Sequence, residues 1–287
     1  MKITIKNGNL SAIVDTHGAE LKSVKNEQIG LEYLWQGNPA IWSDSAPFLF
    51  PVVARQRDDK YTMDGVSRTM PMHGFAKDLD FAVTEQTQDS VTMELHETAQ
   101  TLVWYPFNFC LKTTFRLAGD RLSVQHEVTN ENDRDMPFSI GEHPGFNAPM
   151  VPGDKLEDYF LEFSQEENAE RWYLDDEIIC GSEPYLNGRE IPVDSHTFDR
   201  GALIFKGLKS DSVTLRSRQH SHSVTMDLTG WNYLGIWAKP AAPYVCMEPW
   251  NGLASSQWSS HDIWQKEGIR CLKAGQTEVF TMNVTFA

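Results

Sequence analysis

The chain has 287 residues, 40% of them apolar and 23% charged, and its 40 acidic against 25 basic side chains give a formal net charge of −15. Collagen-like, coiled-coil and wholly disordered readings are excluded by that composition, and the negative balance argues against nucleic acid or an anionic membrane as a partner, since both need a basic face. A folded chain of this mass exposes roughly 12,000 Å² against about 47,000 Å² when open, so a large core needs no disulfide or metal staple.

In chain order, period-2 alternation recurs almost end to end. Ile3 and Ile5 alternate with Lys2, Thr4 and Lys6, Asn7-Gly8-Asn9 turns the chain, and Leu10–Val14 returns, a hairpin pattern. Further strands are expected at 81–83, 91–95, 107–117, 122–128, 203–205, 213–215, 224–228, 233–237 and 279–286, rich in β-branched and aromatic residues and broken by turns such as Gly119-Asp120. Helical periodicity is confined to one or two turns at 39–42 and 97–104, the second ended by Pro106. Residues 151–170 are acidic and poorly patterned and read as a strand with a surface loop. Closely spaced strands with few helices predict an all-β fold, a large antiparallel β-sandwich. No composition shift marks a boundary, so one domain over 1–287 is expected.

The four cysteines, Cys110, Cys180, Cys246 and Cys271, are widely spaced with no CxxC pair, which predicts buried thiols in a reducing compartment. The N-terminus lacks an apolar signal core, and no run of 18 apolar residues exists; a cytoplasmic location is expected. Walker, GxGxxG, HExxH and GxSxG motifs are absent. His220 and His222 form an HxH pair on an expected strand, more simply read as solvent-facing than as metal ligands. No metal site and no cofactor are expected.

Four stretches depart from ordinary strand sequence. Phe48–Arg55 is an apolar run ending in an arginine whose guanidinium can fork onto oxygens. His73 lies in the loop Met70–Asp78 beside Gly74, where backbone can approach a ligand. His143 follows a short apolar run at Pro144-Gly145, a strand end from which a side chain can be presented. Glu248 closes the apolar strand beginning at Tyr244, next to Pro249 and Trp250; desolvation there would raise its pKa and make it a better base. Each also has a plain structural reading as a turn or strand-end residue. Trp237, Trp250, Trp258 and Trp264 could supply flat apolar faces to a sugar, or simply pack.

Taken in order, FPVVAR ending at Arg55, HGFAKD from His73, GEHPGFNAP around His143 and MEPWNG from Glu248 resemble the aldose 1-epimerase (mutarotase) family, with the LacX-like branch nearest. The resemblance implies a galactose mutarotase-like supersandwich with the sugar in an open groove, His143 as general acid and Glu248 as general base. Arg55 and His73 would hold ring and hydroxyl oxygens, with Lys77 standing where the branch typically has arginine; Trp237 would bind the sugar. Asp199 is only an approximate match to a sugar-binding aspartate. The implied partner is a small-molecule sugar, with a monomer or homodimer expected. A sugar phosphate clamped by Arg55, Arg57 and Lys77, and a non-catalytic sugar-binding module, are the competing readings. A glycoside hydrolase would need a second carboxylate; Glu142 neighbours His143, but adjacent residues on a strand point oppositely, so only one of the two faces the groove. For the acid role, a nearby carboxylate is expected to raise the His143 pKa and keep the ring charged.

Overall fold

The computed structural model describes residues 1–287. Its solvent-accessible surface is 11902 Å², close to the value expected for a compact chain of this mass. Fifteen strands join in one large antiparallel sheet. Its central path runs through Phe48–Leu49, Ile140–Glu142, Tyr244–Asn251, Tyr233–Trp237, Leu203–Lys206, Tyr159–Asp175, Ser212–Ser217, Ser223–Asp227, Thr277–Phe286, Arg121–Asn130, Phe109–Ala118, Ser90–His96 and Ala82–Gln86. The N-terminal hairpin, with Leu10–Asp15 between Lys2–Lys6 and Glu20–Asn26, forms a separate three-stranded sheet. Alternating side chains such as Leu111, Phe115 and Leu117, Leu122, Val124 and Val128, and Phe280, Met282 and Val284 fill one continuous core of 68 residues with the N-terminal sheet. A second, smaller apolar cluster (Leu49, Val53, Ala54, Ile179, Ile204, Trp250, Leu253 and Ala254) lies apart from it.

The alternation placed many of the strands within a few residues; Glu20–Asn26, Lys60–Met63 and Val66–Thr69 were not expected, and further local differences have physical causes. Residues 39–42 form a turn closed by the Asn38–Trp42 bridge rather than a helix. The helical turn expected over 97–104 is confined to Thr101–Trp104. The acidic segment runs as a 17-residue strand, Tyr159–Asp175, paired with a second long strand, Ile178–Pro192. That partner was not legible because Gly181, Pro184 and Gly188 break its pattern. It has a strand neighbour on one side only, with a single bridge from Ile179 to Ser256 on the other, and such an edge position tolerates proline and bulges. Of the cysteines, only Cys246 is buried, while Cys271 is exposed.

Candidate functional site

The site grows from the strand Tyr244–Asn251, buried along its whole length. Alternation sets Tyr244, Cys246, Glu248 and Trp250 on one face. In the neighbouring strand, Tyr233 lies opposite Trp250, Gly235 opposite Glu248 and Trp237 opposite Cys246. On the other side Gly141 lies opposite Trp250 and Gly145 opposite Cys246. The glycines make room for rings. A β-carbon on Gly235 or Gly141 would come within 2.5 or 2.6 Å of the Trp250 indole, and one on Gly145 within 2.9 Å of Trp42.

Between the strand pieces Ile140–Glu142 and Gly145–Asn147, the sequence His143-Pro144 carries His143 into a cavity of about 370 Å³. His73, Lys77, Trp237, Glu248 and Trp250 line the same cavity, together with Trp42, Asp44 and Glu177. His143 Nε2 lies 3.2 Å from Glu248 Oε2. The two are out of line for a hydrogen bond, and both Glu248 oxygens and His143 Nδ1 are buried without a partner. Rings hold the imidazole on three sides: Trp42 at 5.2 Å between centroids, and His73 and Trp237 at 5.5 Å each, edge-on.

Burial pushes the Glu248 carboxyl well above its usual range, and the charge of Glu177 adds to the rise. The His143 pKa is pushed down to about 4 by the same desolvation. The expectation that Glu248 would raise it is therefore overturned: with the ring this deeply buried, the loss of hydration of the imidazolium outweighs the attraction of a carboxylate that burial itself tends to neutralise. His73 is fixed differently. Its backbone sits at φ +66°, and its Nδ1 accepts a hydrogen bond from the Ala54 N–H at 3.2 Å. An amide can only donate, so the proton of the neutral ring resides on Nε2. Burial lowers the His73 pKa well below normal, with the neighbouring His143 and Lys77 adding to the effect, so the ring remains a neutral donor.

Arg55 does not line this cavity. Its Nε and Nη2 fork onto Asp59 at 2.8 and 2.9 Å, and its Nη1 reaches Asp176 at 2.9 Å. It ties the tip of the long hairpin to the segment after Ala54 rather than offering a free fork. Lys77 lines the cavity, with its ammonium held by both Asp78 oxygens at 2.9 and 3.0 Å. Asp199 bonds the exposed His196 at 2.9 Å and lies outside the cavity. Trp258 and Trp264 are exposed elsewhere.

Glu142 points to the opposite face, as alternation required, and bonds His126 Nε2 at 2.6 Å in the core. Only one of the two carboxylates therefore reaches the cavity. His220 and His222 lie in a bend rather than on a strand, and His220 faces Asp154 and Tyr159. Trp42, Asp44 and Glu177 were missed by sequence reasoning. Trp42 and Asp44 sit in irregular chain and Glu177 at a hairpin tip, where periodicity carries no signal about direction.

The model of the aldose 1-epimerase family matches residues 1–284. The LacX proteins of Lactococcus lactis subsp. lactis, plasmid and chromosomal, are each 35% identical over 271 residues, covering 89% of both chains. A galactose mutarotase related enzyme from Lactobacillus acidophilus superposes with a TM-score of 0.96 at 32% identity, covering 100% of this chain and 97% of that one. A galactose mutarotase-like protein from Lactobacillus casei gives 0.94 at 32% identity, covering both chains fully. With a match over nearly the whole length and this supersandwich carrying a His and a Glu into one open cavity, the chain belongs to the aldose 1-epimerase family.

Proposed function

We propose that this protein interconverts the α and β anomers of an aldose by acid–base ring opening. The observation that carries the reading is the approach of His143 Nε2 to Glu248 Oε2, 3.2 Å apart in one cavity, with both carboxylate oxygens unpaired. Glu248 takes the proton of the anomeric hydroxyl while His143 delivers one to the ring oxygen, and the C1–O5 bond breaks. The free aldehyde turns about C1–C2, and closure on the other face returns both protons. The reaction needs one transferable proton on the pair, and general acid–base catalysis by each group contributes roughly 10²–10⁴-fold.

The surrounding residues suit that chemistry. His73 offers a neutral Nε2–H to a ring or hydroxyl oxygen, Lys77 an ammonium, and Trp237 and Trp42 apolar faces for sugar C–H groups. The sugar-phosphate reading is less well supported, because Arg55 is already bracketed by Asp59 and Asp176. The test is the approach to anomeric equilibrium of freshly dissolved α-glucose and α-galactose in a polarimeter. Glu248→Gln and His143→Ala should each slow it by at least about 10²-fold with the fold intact. Full activity in either folded variant rejects these roles, and sugar binding by calorimetry without any rate effect would favour a binding module.

A further inference from the structure

The cavity wall carries charges that the acid–base pair does not use. Asp44 and Glu177 both line it. Asp44 takes only a long hydrogen bond from the adjacent Ser43 Oγ, at 3.3 Å, and neither carboxylate has a cationic partner within 4 Å. The one ammonium on the wall, Lys77, is held by Asp78, and the nearby guanidinium of Arg55 by two aspartates. A bound ligand therefore meets unpaired negative charge and no unpaired positive charge.

The fold holds Glu177 there at some cost. Asp175 pairs with Ile178, so Asp176 and Glu177 are the two residues of a tight hairpin turn, and both have positive φ, +47° and +62°. Such turns ordinarily take Asn-Gly or Asp-Gly because a β-carbon is strained in that conformation. Here the second position carries a carboxylate on a long stem. Arg55 grips Asp176 and fixes the tip, leaving the Glu177 carboxylate on the cavity wall.

We propose that Asp44 and Glu177 form an anionic collar that makes this site select sugars by charge: a protonated amino sugar first, a neutral aldose next, and a sugar phosphate last. The inference rests on the anomer-exchange reading of the same cavity and narrows its substrate class. Electrostatic selection of this kind acts through partly exposed groups, so it weakens as salt rises. A structural role for either residue would not produce that signature.

The experiment uses the full-length protein with glucosamine, glucose and glucose 6-phosphate at about pH 6, where an amine of ordinary basicity is protonated. Binding is read by calorimetry and anomer exchange by NMR, each at about 10 mM and about 500 mM salt. The expected result is a preference of at least about tenfold for glucosamine over glucose 6-phosphate in both readouts at low salt, shrinking severalfold at high salt. Asp44→Asn and Glu177→Gln should each narrow the preference, and the double variant should narrow it most. If glucose 6-phosphate binds as well as glucosamine in the native protein, or if the double variant keeps the native ratio, the collar is overturned. Absence of binding by all three sugars overturns it too. If the binding order holds without anomer exchange on any of them, the catalytic reading fails while the charge selection stands.

Discussion

The indole of Trp250 lies against Gly235, so closely that a β-carbon there would approach its Cζ2 and Cη2 to 2.5 Å. Gly235 is the register partner of Glu248, and Trp250 lines the cavity beside it. Both strands are buried in a paired sheet, so the indole, not the backbone, must yield. Gly235→Ala should therefore keep a native circular-dichroism spectrum while pushing the indole into the sugar's space. Misplacement by about 1 Å costs on the order of 10²-fold in rate. Native polarimetric activity in this variant would show that the ring does not shape the site.

Two glutamates close to His143, one in sequence and one in space, should fail in different ways. Glu142 bonds His126, which in turn bonds Thr113 and stacks on Phe48 at 4.2 Å. Glu142→Ala leaves a buried imidazole N–H without its acceptor, which costs about 1–3 kcal/mol. Chemical denaturation should show that loss of stability. Glu248 has no hydrogen bond to lose, so Glu248→Gln should retain native stability, or gain some, and lose turnover. Equal destabilisation by the two substitutions would contradict this division.

The sequence carried the fold through alternation. Leu122–Val128 and Val279–Phe286 read as strands because every second side chain enters the core, and the register Leu122–Val284, Val124–Met282 and His126–Phe280 matches that pattern. Alternation also implied that only one of Glu142 and His143 would reach the cavity. It was silent on Ile178–Pro192, an edge strand whose glycines and proline obscure the period, and on Trp42 and Asp44, whose direction is set by tertiary packing. The pairing of Arg55 is illegible in the sequence for a related reason. A strand-end arginine looks free in sequence, while its partners Asp59 and Asp176 arrive from a turn and from a hairpin more than a hundred residues away. The electrostatics of His143 could not be read at all, since they depend on how thoroughly the fold excludes water.

Lys266 is a buried cation outside the site. Its ammonium donates to the Leu253 carbonyl, and burial pushes its pKa down to about 7. An unfolded lysine titrates near ~10.4. Between these values the unfolded chain holds a proton that the folded chain does not, so this residue makes stability rise with pH from about 7 to about 10.4, and its penalty is greatest below that window. In Lys266→Met the difference from the native protein should follow that slope, with the variant gaining relative stability toward acid. Parallel stability curves for the two proteins from pH 6 to about pH 10 would show that the group titrates normally.

The activity profile follows from the pair as a unit. Catalysis requires one proton shared between His143 and Glu248, and the macroscopic pKa values belong to the pair. In water the one-proton state would exist only between about 4.3 and about 6.5. Burial reverses the order: His143 falls to about 4, and Glu248 rises well above its usual range. On acidification the second proton enters the pair near about 4, and on alkalinisation the last proton leaves at the raised Glu248 value, so the one-proton window widens toward neutral pH. Within it the proton rests on Glu248 in the empty site, 3.2 Å from His143 Nε2 but out of line with it, so the transfer that arms the pair requires the two side chains to realign as a sugar hydroxyl approaches. His73 remains neutral, Cys246 is held protonated by burial, and Glu177 contributes to the rise at Glu248. The profile of kcat/KM should therefore have its acid limb at about 4 and its alkaline limb well above the usual glutamate range. Glu177→Gln should move the alkaline limb down and leave the acid limb in place. An alkaline limb that stays in place in Glu177→Gln would mean that it reports His143 as an ordinary imidazole and not Glu248.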